Sequence, residues 1–168
     1  MGEPEEVKSQ AEESVFGATL RSSTFNGKPY AGSVTRIPLM MFLYLQALSF
    51  VQGMTLRGLY EDCSVRFLDG QPWAQGLPPA GLPPARLRWR EVPPEPISGL
   101  NGWVQVDVRL PQEQAEALYA VSLKEGVCMT AALYTMLYWY SWVLYPPLHE
   151  QERRKMREAR VLCHRSLP

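Results

Sequence analysis

The 168-residue sequence has few cysteines, few histidines and no net charge, and each shortage excludes a class of protein. Its three cysteines lie far apart without a CxxC pair, so we expect free thiols in a reducing compartment such as the cytoplasm rather than a disulfide framework. Cys163 and His164 are neighbours but lack two further ligands at metal-site spacing, so no zinc site is expected. The first ten residues lack the basic start and apolar stretch of a secretory signal.

The common catalytic signatures are also missing. There is no glycine-rich nucleotide loop, no Gly-x-Ser-x-Gly and no zinc-enzyme motif. The tyrosines between residues 134 and 145 are more typical of an aromatic core than of a nucleophile, because no histidine cluster accompanies them to hold a metal. We therefore expect a protein without catalysis, cofactor or small-molecule substrate.

Charge is balanced over the whole chain, with 17 basic and 17 acidic residues. This balance does not favour nucleic-acid binding, since a typical nucleic-acid-binding domain is clearly basic. The C-terminal stretch differs, because residues 150–168 hold six basic and three acidic residues. Residues 150–162 predict a short basic helix that contacts phosphates or a protein partner, or is simply solvated.

Two long uncharged runs, 37–56 and 126–148, raise the hypothesis of a membrane protein with two spans, since the second run is long enough to cross a bilayer. Three features count against it. The first run contains Gln46 and Gln52, the second carries its tyrosines and tryptophans in the middle rather than at its ends, and Pro146-Pro147 ends any helix there. No membrane partner is therefore expected.

An internal repeat explains both runs. Shifted by 73 residues without a gap, the chain aligns Arg36 with Arg109 and Pro38 with Pro111. Four further identities follow in the same frame, at Leu45/Leu118, Ala47/Ala120, Ser49/Ser122 and Gly53/Gly126. Such repeats indicate duplicated structural units.

Each copy predicts a strand, a helix, a turn and a second helix. In the second copy, Val104 to Leu110 alternates apolar and polar residues, which is typical of a half-buried strand. Pro111 is suited to a helix start, and Gly126 to its C-terminal stop. The first copy predicts a strand at 32–37 and helices at 39–52 and 56–68, with Thr55 as N-cap.

Neither copy has enough apolar surface to bury a core alone, so we expect the two to pair. The predicted fold class is mainly α with a small two-stranded antiparallel ribbon, formed by two units as an intramolecular pseudo-dimer. The predicted organisation is a disordered arm (1–29), a first unit (30–68), a Pro/Gly-rich linker (69–102), a second unit (103–146) and a basic C-terminal helix and tail (147–168).

The segment from Val106 to Gly126 resembles the ribbon–helix–helix superfamily of Arc-, MetJ- and CopG-like proteins. The resemblance rests on an alternating strand that ends in basic–apolar–proline, then a helix and a glycine. Cys128 departs from the Ser or Thr that is common after the glycine, whereas the first copy has Thr55 there. The tandem form is similar to the TraY-type and overdrive-binding accessory proteins of conjugative and T-DNA transfer. This resemblance implies double-stranded DNA as partner, with a relaxase or other transfer proteins beside it. A plasmid-type transcriptional repressor is the alternative.

A ribbon of this kind enters the major groove with its outer face toward the base edges. By alternation, that face carries Gly32 in addition to the predicted base contacts, which are Val34, Arg36, Gln105, Asp107 and Arg109. Arginine suits guanine, glutamine suits adenine, aspartate accepts from cytosine, and valine contacts the thymine methyl. Because the two halves differ, we expect an asymmetric DNA site.

The N-terminus of each second helix is expected to face a DNA phosphate. The residues predicted to contact phosphate there are Thr55, Arg57, Cys128 and Thr130. The linker sequence Arg86-Leu-Arg-Trp-Arg90 adds Arg86, Arg88 and Arg90 as predicted phosphate contacts. The alternative for this segment is that Leu87 and Trp89 pack on the core while the arginines stay solvated.

Overall fold

The structure, a computed structural model, describes residues 20–74, 86–93 and 102–165, with the side chains of 161–165 left out. A small sheet and two helix pairs make up most of this part of the chain. The strands are β1 (Arg21–Phe25), β2 (Lys28–Pro38) and β3 (Trp103–Pro111). The helices are α1 (Leu39–Val51), α2 (Leu56–Gly70), α3 (Gln112–Glu125), α4 (Met129–Tyr138) and α5 (Leu148–Arg165), and a π-helical turn (Trp139–Leu144) extends α4.

The three strands form one antiparallel sheet in the order β1-β2-β3. The prediction of a mainly helical protein with a small antiparallel sheet is confirmed, but the sheet has three strands where two were expected. β1 and β2 are joined by a tight turn in which Asn26 and Gly27 both have positive φ, 49° and 73°. Such a turn matches the twist of its flanking strands, and Asn-Gly is its preferred sequence.

The hairpin corrects the prediction of a disordered arm over residues 1–29. Residues 21–29 belong to the β1–β2 hairpin, in which Arg21 lies opposite Gly32 and Phe25 opposite Lys28. Residues 1–19 lie outside the described part of the chain. β1 covers one edge of β2 only as far as Gly32, so it protects half of that edge from pairing with another chain.

β3 pairs along its whole length with β2, from Tyr30 to Pro38. Val34 lies opposite Asp107, Gly32 opposite Arg109, and Arg36 opposite Gln105. Val34 and Asp107 are also equivalent positions of the internal repeat, since they are 73 residues apart. The sheet therefore brings the two copies of the repeat together at the same position of each.

The helices begin and end close to the predicted positions because local signals fix them. Gly53 and Gly126 follow α1 and α3 with φ of 67° and 70°, the left-handed conformation in which glycine is favoured. The Thr55 hydroxyl accepts a hydrogen bond from the Gly58 amide at 3.1 Å, which confirms its predicted role as N-cap. At the equivalent position of the second copy, Cys128 makes no side-chain cap bond.

The core lies between the inner face of the sheet and the helix pairs. Each second helix packs on the strand of the other copy, α2 on β3 and α4 on β2. Thr35 of β2 donates to the Thr130 carbonyl of α4 at 2.8 Å, which fixes the start of α4 behind the sheet. Among the tyrosines predicted as aromatic core, Tyr134 and Tyr140 are buried.

Residues 86–93 of the linker lie against this core. Trp89 contacts the rings of Phe67 and Trp73, with centroids 6.1 and 5.7 Å away. The Arg90 amide donates to the Thr135 hydroxyl at 2.9 Å, and Leu87 is half-buried on the core. The interpretation that Leu87 and Trp89 pack on the core is confirmed, whereas linker residues 75–85 and 94–101 lie outside the described chain.

The basic C-terminal segment is a helix, as predicted, and runs from Leu148 to Arg165. Arg154 anchors its start by donating to the Trp142 carbonyl at 2.6 Å, and its guanidinium lies 3.7 Å from the Glu150 carboxylate. Most side chains from 151 to 160 are exposed, so this helix extends into solvent.

Within the described residues, no individual helix has both the length and the apolar composition to cross a membrane. Two bent helix pairs are long and apolar enough only when both helices of the pair are counted together. One pair is α1 with α2, and the other is α3 with α4 and its π-helical turn.

Candidate nucleic-acid interface

The outer face of the β2–β3 ribbon is the candidate site. Side chains that lie directly opposite in antiparallel strands share a face, so the register gathers the predicted base contacts into one surface. Its three rungs are Gly32 with Arg109, Val34 with Asp107, and Arg36 with Gln105. The next residues along β3, Val106, Val108 and Leu110, are buried beneath the sheet. The alternation read from the sequence therefore holds in the structure.

Arg109 is held in place at one end of this face. Its Nε lies 3.0 Å from both carboxylate oxygens of Asp107, and its Nη2 lies 2.9 Å from Oδ2. Its Nη1 donates to the Arg21 carbonyl of β1 at 3.4 Å. A guanidinium with a bidentate partner has a defined orientation, and Asp107 carries the charge opposite to that of Arg109.

Gly32 provides the space for this arrangement. A Cβ at residue 32 would meet the Val108 carbonyl oxygen at 2.1 Å and Arg109 Cδ at 2.9 Å. Glycine therefore lets β3 approach closely and lets the Arg109 side chain cross β2 to reach Arg21 on β1. The sequence prediction put Gly32 on this face without recognising that function.

The other end of the face has a different environment. Arg36 Nη1 donates to the Pro93 carbonyl of the linker at 3.1 Å. Gln105, directly opposite, is exposed, and Val34 at the central rung is half-buried. The two arginines at equivalent repeat positions are thus held by different parts of the chain, one by β1 and Asp107 and the other by the linker.

The start of α2 lies beside the β1–β2 hairpin. The guanidinium of Arg57 lies 3.9 Å from the centre of the Phe25 ring and 5.2 Å from that of Tyr30. These cation–π contacts hold Arg57 over the hairpin. Thr55, one residue before α2, is exposed while capping it, so the helix N-terminus keeps a polar end beside the sheet.

The start of α4 is different in kind. The Thr130 hydroxyl donates to the Val34 carbonyl at 3.3 Å, so this side chain binds the back of the ribbon. Cys128 is half-buried and does not cap the helix. The two helix starts are therefore unequal, since among the described residues a basic side chain, Arg57, is held in place at the start of α2 and none is at the start of α4.

The linker arginines are spread along a segment that packs on α2 and α4. Arg90 lies over the Tyr138 ring, 3.4 Å from its centroid, while Arg86 and Arg88 are exposed. No hydrogen bond or ion pair in the described residues joins these three side chains to the outer face of the ribbon.

Sequence interpretation missed the basic residues of the hairpin. Arg21 and Lys28 face the same side of the sheet as Gly32 and Tyr30, because the register places Arg21 opposite Gly32 and Ser23 opposite Tyr30. Both are exposed, and Arg21 adds positive charge beside Arg109 while Lys28 lies at the turn of the hairpin. The signal for them was present, since Asn26-Gly27 between two polar–apolar segments is a strong hairpin sequence.

Two titratable side chains of α2, Tyr60 and Cys63, are buried behind the ribbon. Burial, with smaller contributions from Cys63 and Asp107, raises the pKa of Tyr60 to about 12. Burial, followed by the nearby Asp62 charge, raises the pKa of Cys63 well above its ordinary value. These groups keep their protons near neutral pH, so the charge of this region comes from the arginines and carboxylates.

Within the described ranges there is no group of three or more His, Cys, Asp or Glu side chains suited to a metal ion, and the side chains of Cys163 and His164 lie outside them. Comparison of the chain with protein-family models, with curated proteins and with solved structures found no match in any of the three.

Proposed function

We propose that the chain is a sequence-specific double-stranded DNA-binding protein, built as a pseudo-dimer of two ribbon–helix–helix units, that inserts the β2–β3 ribbon into the major groove. The observation that carries this proposal is the meeting of repeat-equivalent residues at two separate places. Val34 pairs with Asp107 in the sheet, and the Cys63 thiol donates to the Met136 carbonyl at 3.4 Å between α2 and α4.

Both pairs are separated by 73 residues, the shift of the internal repeat. A residue meets its own symmetry mate only near a two-fold axis, so an approximate axis runs through both contacts. The exchange of the second helices, α2 onto β3 and α4 onto β2, is what such an axis requires. These geometric facts support the pseudo-dimer.

The dimensions and chemistry of the ribbon agree with groove insertion. Adjacent strands lie about 4.8 Å apart, and the major groove is about 12 Å wide, so a two-stranded ribbon fits it. In the described part of the chain the half from Val34 to Pro38 has two strands, while the other half carries β1 at its edge. Arg36 and Gln105 on the first half suit guanine and adenine, and the paired Arg109 and Asp107 on the second suit a guanine beside a cytosine.

We infer that the phosphate contacts are also unequal. The α2 N-terminus offers Thr55 and Arg57, and the hairpin beside it adds Arg21 and Lys28. The α4 N-terminus, preceded by Cys128, offers backbone amides alone, because the Thr130 hydroxyl already donates to Val34. Arg86, Arg88 and Arg90 of the linker supply further basic groups.

The test is selection of a binding site from random duplex DNA, followed by competition binding with Arg36→Ala and Arg109→Ala. Each change should weaken binding to the selected duplex by roughly ten- to a hundredfold and relax preference at a different base position. Arg66→Ala is the matched control, since this arginine pairs with Asp62 on α2 and is not part of the ribbon. Equal binding by all three variants would refute the assignment.

Salt dependence provides a second measurement. Each phosphate contact contributes a slope of about 0.9 to the fall of log affinity with log salt concentration. Arg57→Ala should lower the slope by about one while leaving the preferred sequence unchanged, because phosphates carry no base identity. A changed sequence preference would mean that Arg57 contacts bases.

The biological setting rests on the family resemblance. It favours an accessory role at a transfer origin or border, with a relaxase or other transfer proteins as partners and no enzymatic activity of the chain itself. Stimulated nicking by a relaxase, on a plasmid that carries the selected site beside a transfer origin, is the expected result. Repression of the chain's own promoter without stimulated nicking would favour the plasmid-repressor alternative.

A further inference from the structure

Helix α1 presents an uncharged apolar face to solvent. Met40, Phe50 and Val51 are 75%, 87% and 79% exposed, values unusual for large apolar side chains of a folded protein. Leu39, Leu43 and Ala47 are also exposed. We call these six residues the α1 face, and α1 contains no charged residue at all.

The six side chains form one continuous surface. With successive residues turned by about 100° around a helix, they occupy a single arc of about 120°, while Met41, Leu45 and Ser49 point to the opposite side and are buried. The face follows the helix for about 20 Å, the length of 13 residues. Exposed Gln46 borders it with a polar group.

The repeat supplies an internal control for the meaning of this face. At the equivalent positions, α3 carries Glu113 for Met40, Glu116 for Leu43 and Lys124 for Val51. These charged residues are exposed on a helix that follows its strand in the same way. The fold therefore does not require an apolar surface there, and the apolar residues of α1 need an explanation of their own.

We propose that the α1 face is a dimerisation surface, on which α1 of a second copy of this chain packs across a two-fold axis. In a two-fold contact the same patch serves both partners, and an uncharged patch meets its copy without charge repulsion. The six side chains expose on the order of 600 Å², close to the roughly 800 Å² that each partner contributes to a standard interface. An apolar centre with a polar residue at its border is the usual composition of such a contact.

The chemistry of the face is unsuited to the other surfaces that a protein of this kind meets. Nucleic acid requires cations and hydrogen-bond donors, which the six side chains lack. An interfacial membrane helix carries Lys or Arg on its polar side, whereas the opposite side of α1 is packed in the core. An apolar protein surface remains, and the second copy provides one that matches in shape and charge.

The proposal is tested by sedimentation equilibrium of the full chain without DNA, over a wide range of concentration. We expect a monomer–dimer equilibrium that Phe50→Glu weakens by roughly tenfold or more. Leu123→Glu, an exposed change at the equivalent position of α3, should leave the equilibrium unchanged. A second variant, Met40→Glu with Leu43→Glu, gives α1 the acidic residues that α3 has at the equivalent positions. This double variant should also be monomeric.

Cross-linking locates the contact without adding charge. Ala47 and Ala120 are equivalent and both exposed, so Ala47→Cys and Ala120→Cys form a matched pair in a background where Cys128 and Cys163 are serine. Oxidation should yield covalent dimer from Ala47→Cys and little from Ala120→Cys.

Three outcomes would overturn the proposal: a wild-type chain that is monomeric at all concentrations, equal cross-linking of the two variants, or a dimer that Phe50→Glu and Leu123→Glu affect alike. In the first case, dimerisation after deletion of residues 1–19 would assign the α1 face to a contact within the chain instead of a contact between two copies. Because the mutated side chains of α1 and α3 (Met40, Leu43, Ala47, Phe50, Ala120 and Leu123) are all exposed, circular dichroism should show unchanged folding in these variants. None of these readouts depends on DNA binding.

Discussion

Arg36 and Arg109 occupy the same position in the two copies of the repeat, yet the chain holds them in different ways. Arg109 lies across Gly32, in contact with Asp107 and with the Arg21 carbonyl. Arg36 instead donates to the Pro93 carbonyl of the linker. The repeat fixes where each side chain leaves the backbone, but the segments outside the repeat, the hairpin strand and the linker, decide what surrounds it.

The first helices differ in a complementary way. α1 and α3 share their inward positions, as at Leu45 and Leu118, because both must fit the same core. At three outward positions they differ in charge, since Met40, Leu43 and Val51 of α1 correspond to Glu113, Glu116 and Lys124 of α3. A duplicated fold therefore constrains its buried face in both copies, whereas each exposed face is free to acquire a separate function.

The largest loss of stability is expected at a buried position where the two copies have the same residue. Leu45→Ala and Leu118→Ala each remove a fully buried side chain at an identical repeat position, so each should lower the free energy of unfolding by about 2–5 kcal/mol. Urea denaturation at neutral pH measures both. A loss below 1 kcal/mol in either variant would mean that its copy contributes no shared core and would break the equivalence.

Stability at alkaline pH should depend on the first copy at Tyr60, because the equivalent residue of the second copy, Leu133, does not titrate. Burial raises the pKa of Tyr60 to about 12 from 10.0, so the unfolded chain loses this proton first. The stability it contributes is complete below pH 10 and declines as pH rises toward 12, by up to about 2–3 kcal/mol. Tyr60→Phe should flatten the decline, measured as the slope of unfolding free energy against pH. An unchanged slope would contradict the prediction.

The two ends of the ribbon can be compared at Gly32 and its equivalent, Gln105. Gly32→Ala places a methyl group against the Val108 carbonyl, which should cost about 1–3 kcal/mol of stability and displace Arg109. Gln105→Ala alters an exposed side chain and should stay within about 0.5 kcal/mol of wild type. Thermal denaturation of the two variants measures both losses of stability. Equal losses of stability would show that the close approach of β3 does not require glycine at residue 32.

The smallest expected difference concerns the N-caps of α2 and α4. Thr55→Ala removes the bond to the Gly58 amide and should cost about 1 kcal/mol, whereas Cys128→Ala removes no cap bond. Cys128→Thr should restore the pattern of the first copy and stabilise the chain by up to about 1 kcal/mol. If Cys128→Ala costs as much as Thr55→Ala, the thiol stabilises α4 by another contact.

Much of the helical part of the fold was predictable from sequence because its signals are local. Gly53 and Gly126 end the first helices, Thr55 caps α2, and the alternation from Val104 to Leu110 predicted β3 with the correct outer face. Each signal acts within one turn or one strand. These local signals therefore predicted the ends of these elements to within a few residues of their ends in the structure.

The parts that sequence interpretation missed depend on contacts between distant segments. β1 was taken for part of a disordered arm, because its mostly polar residues are a weak strand signal and the Asn26-Gly27 turn that pairs it with β2 was overlooked. The neighbours of Arg109 and Arg36, the Arg21 and Pro93 carbonyls, lie 88 and 57 residues away. No local pattern specifies such partners.

The sequence by itself determined the duplicated strand–helix–helix plan, the helix ends and the alternation that puts the three rungs on one side of a ribbon. These follow from backbone sterics, capping and the periodicity of apolar residues. Tertiary structure alone decided which distant carbonyls bind Arg36 and Arg109, that Gly32 lets Arg109 cross β2, and that the α1 face remains exposed. Those features depend on contacts between segments that are distant in sequence. The stability of such a contact depends on both segments, so it cannot be derived from either one alone.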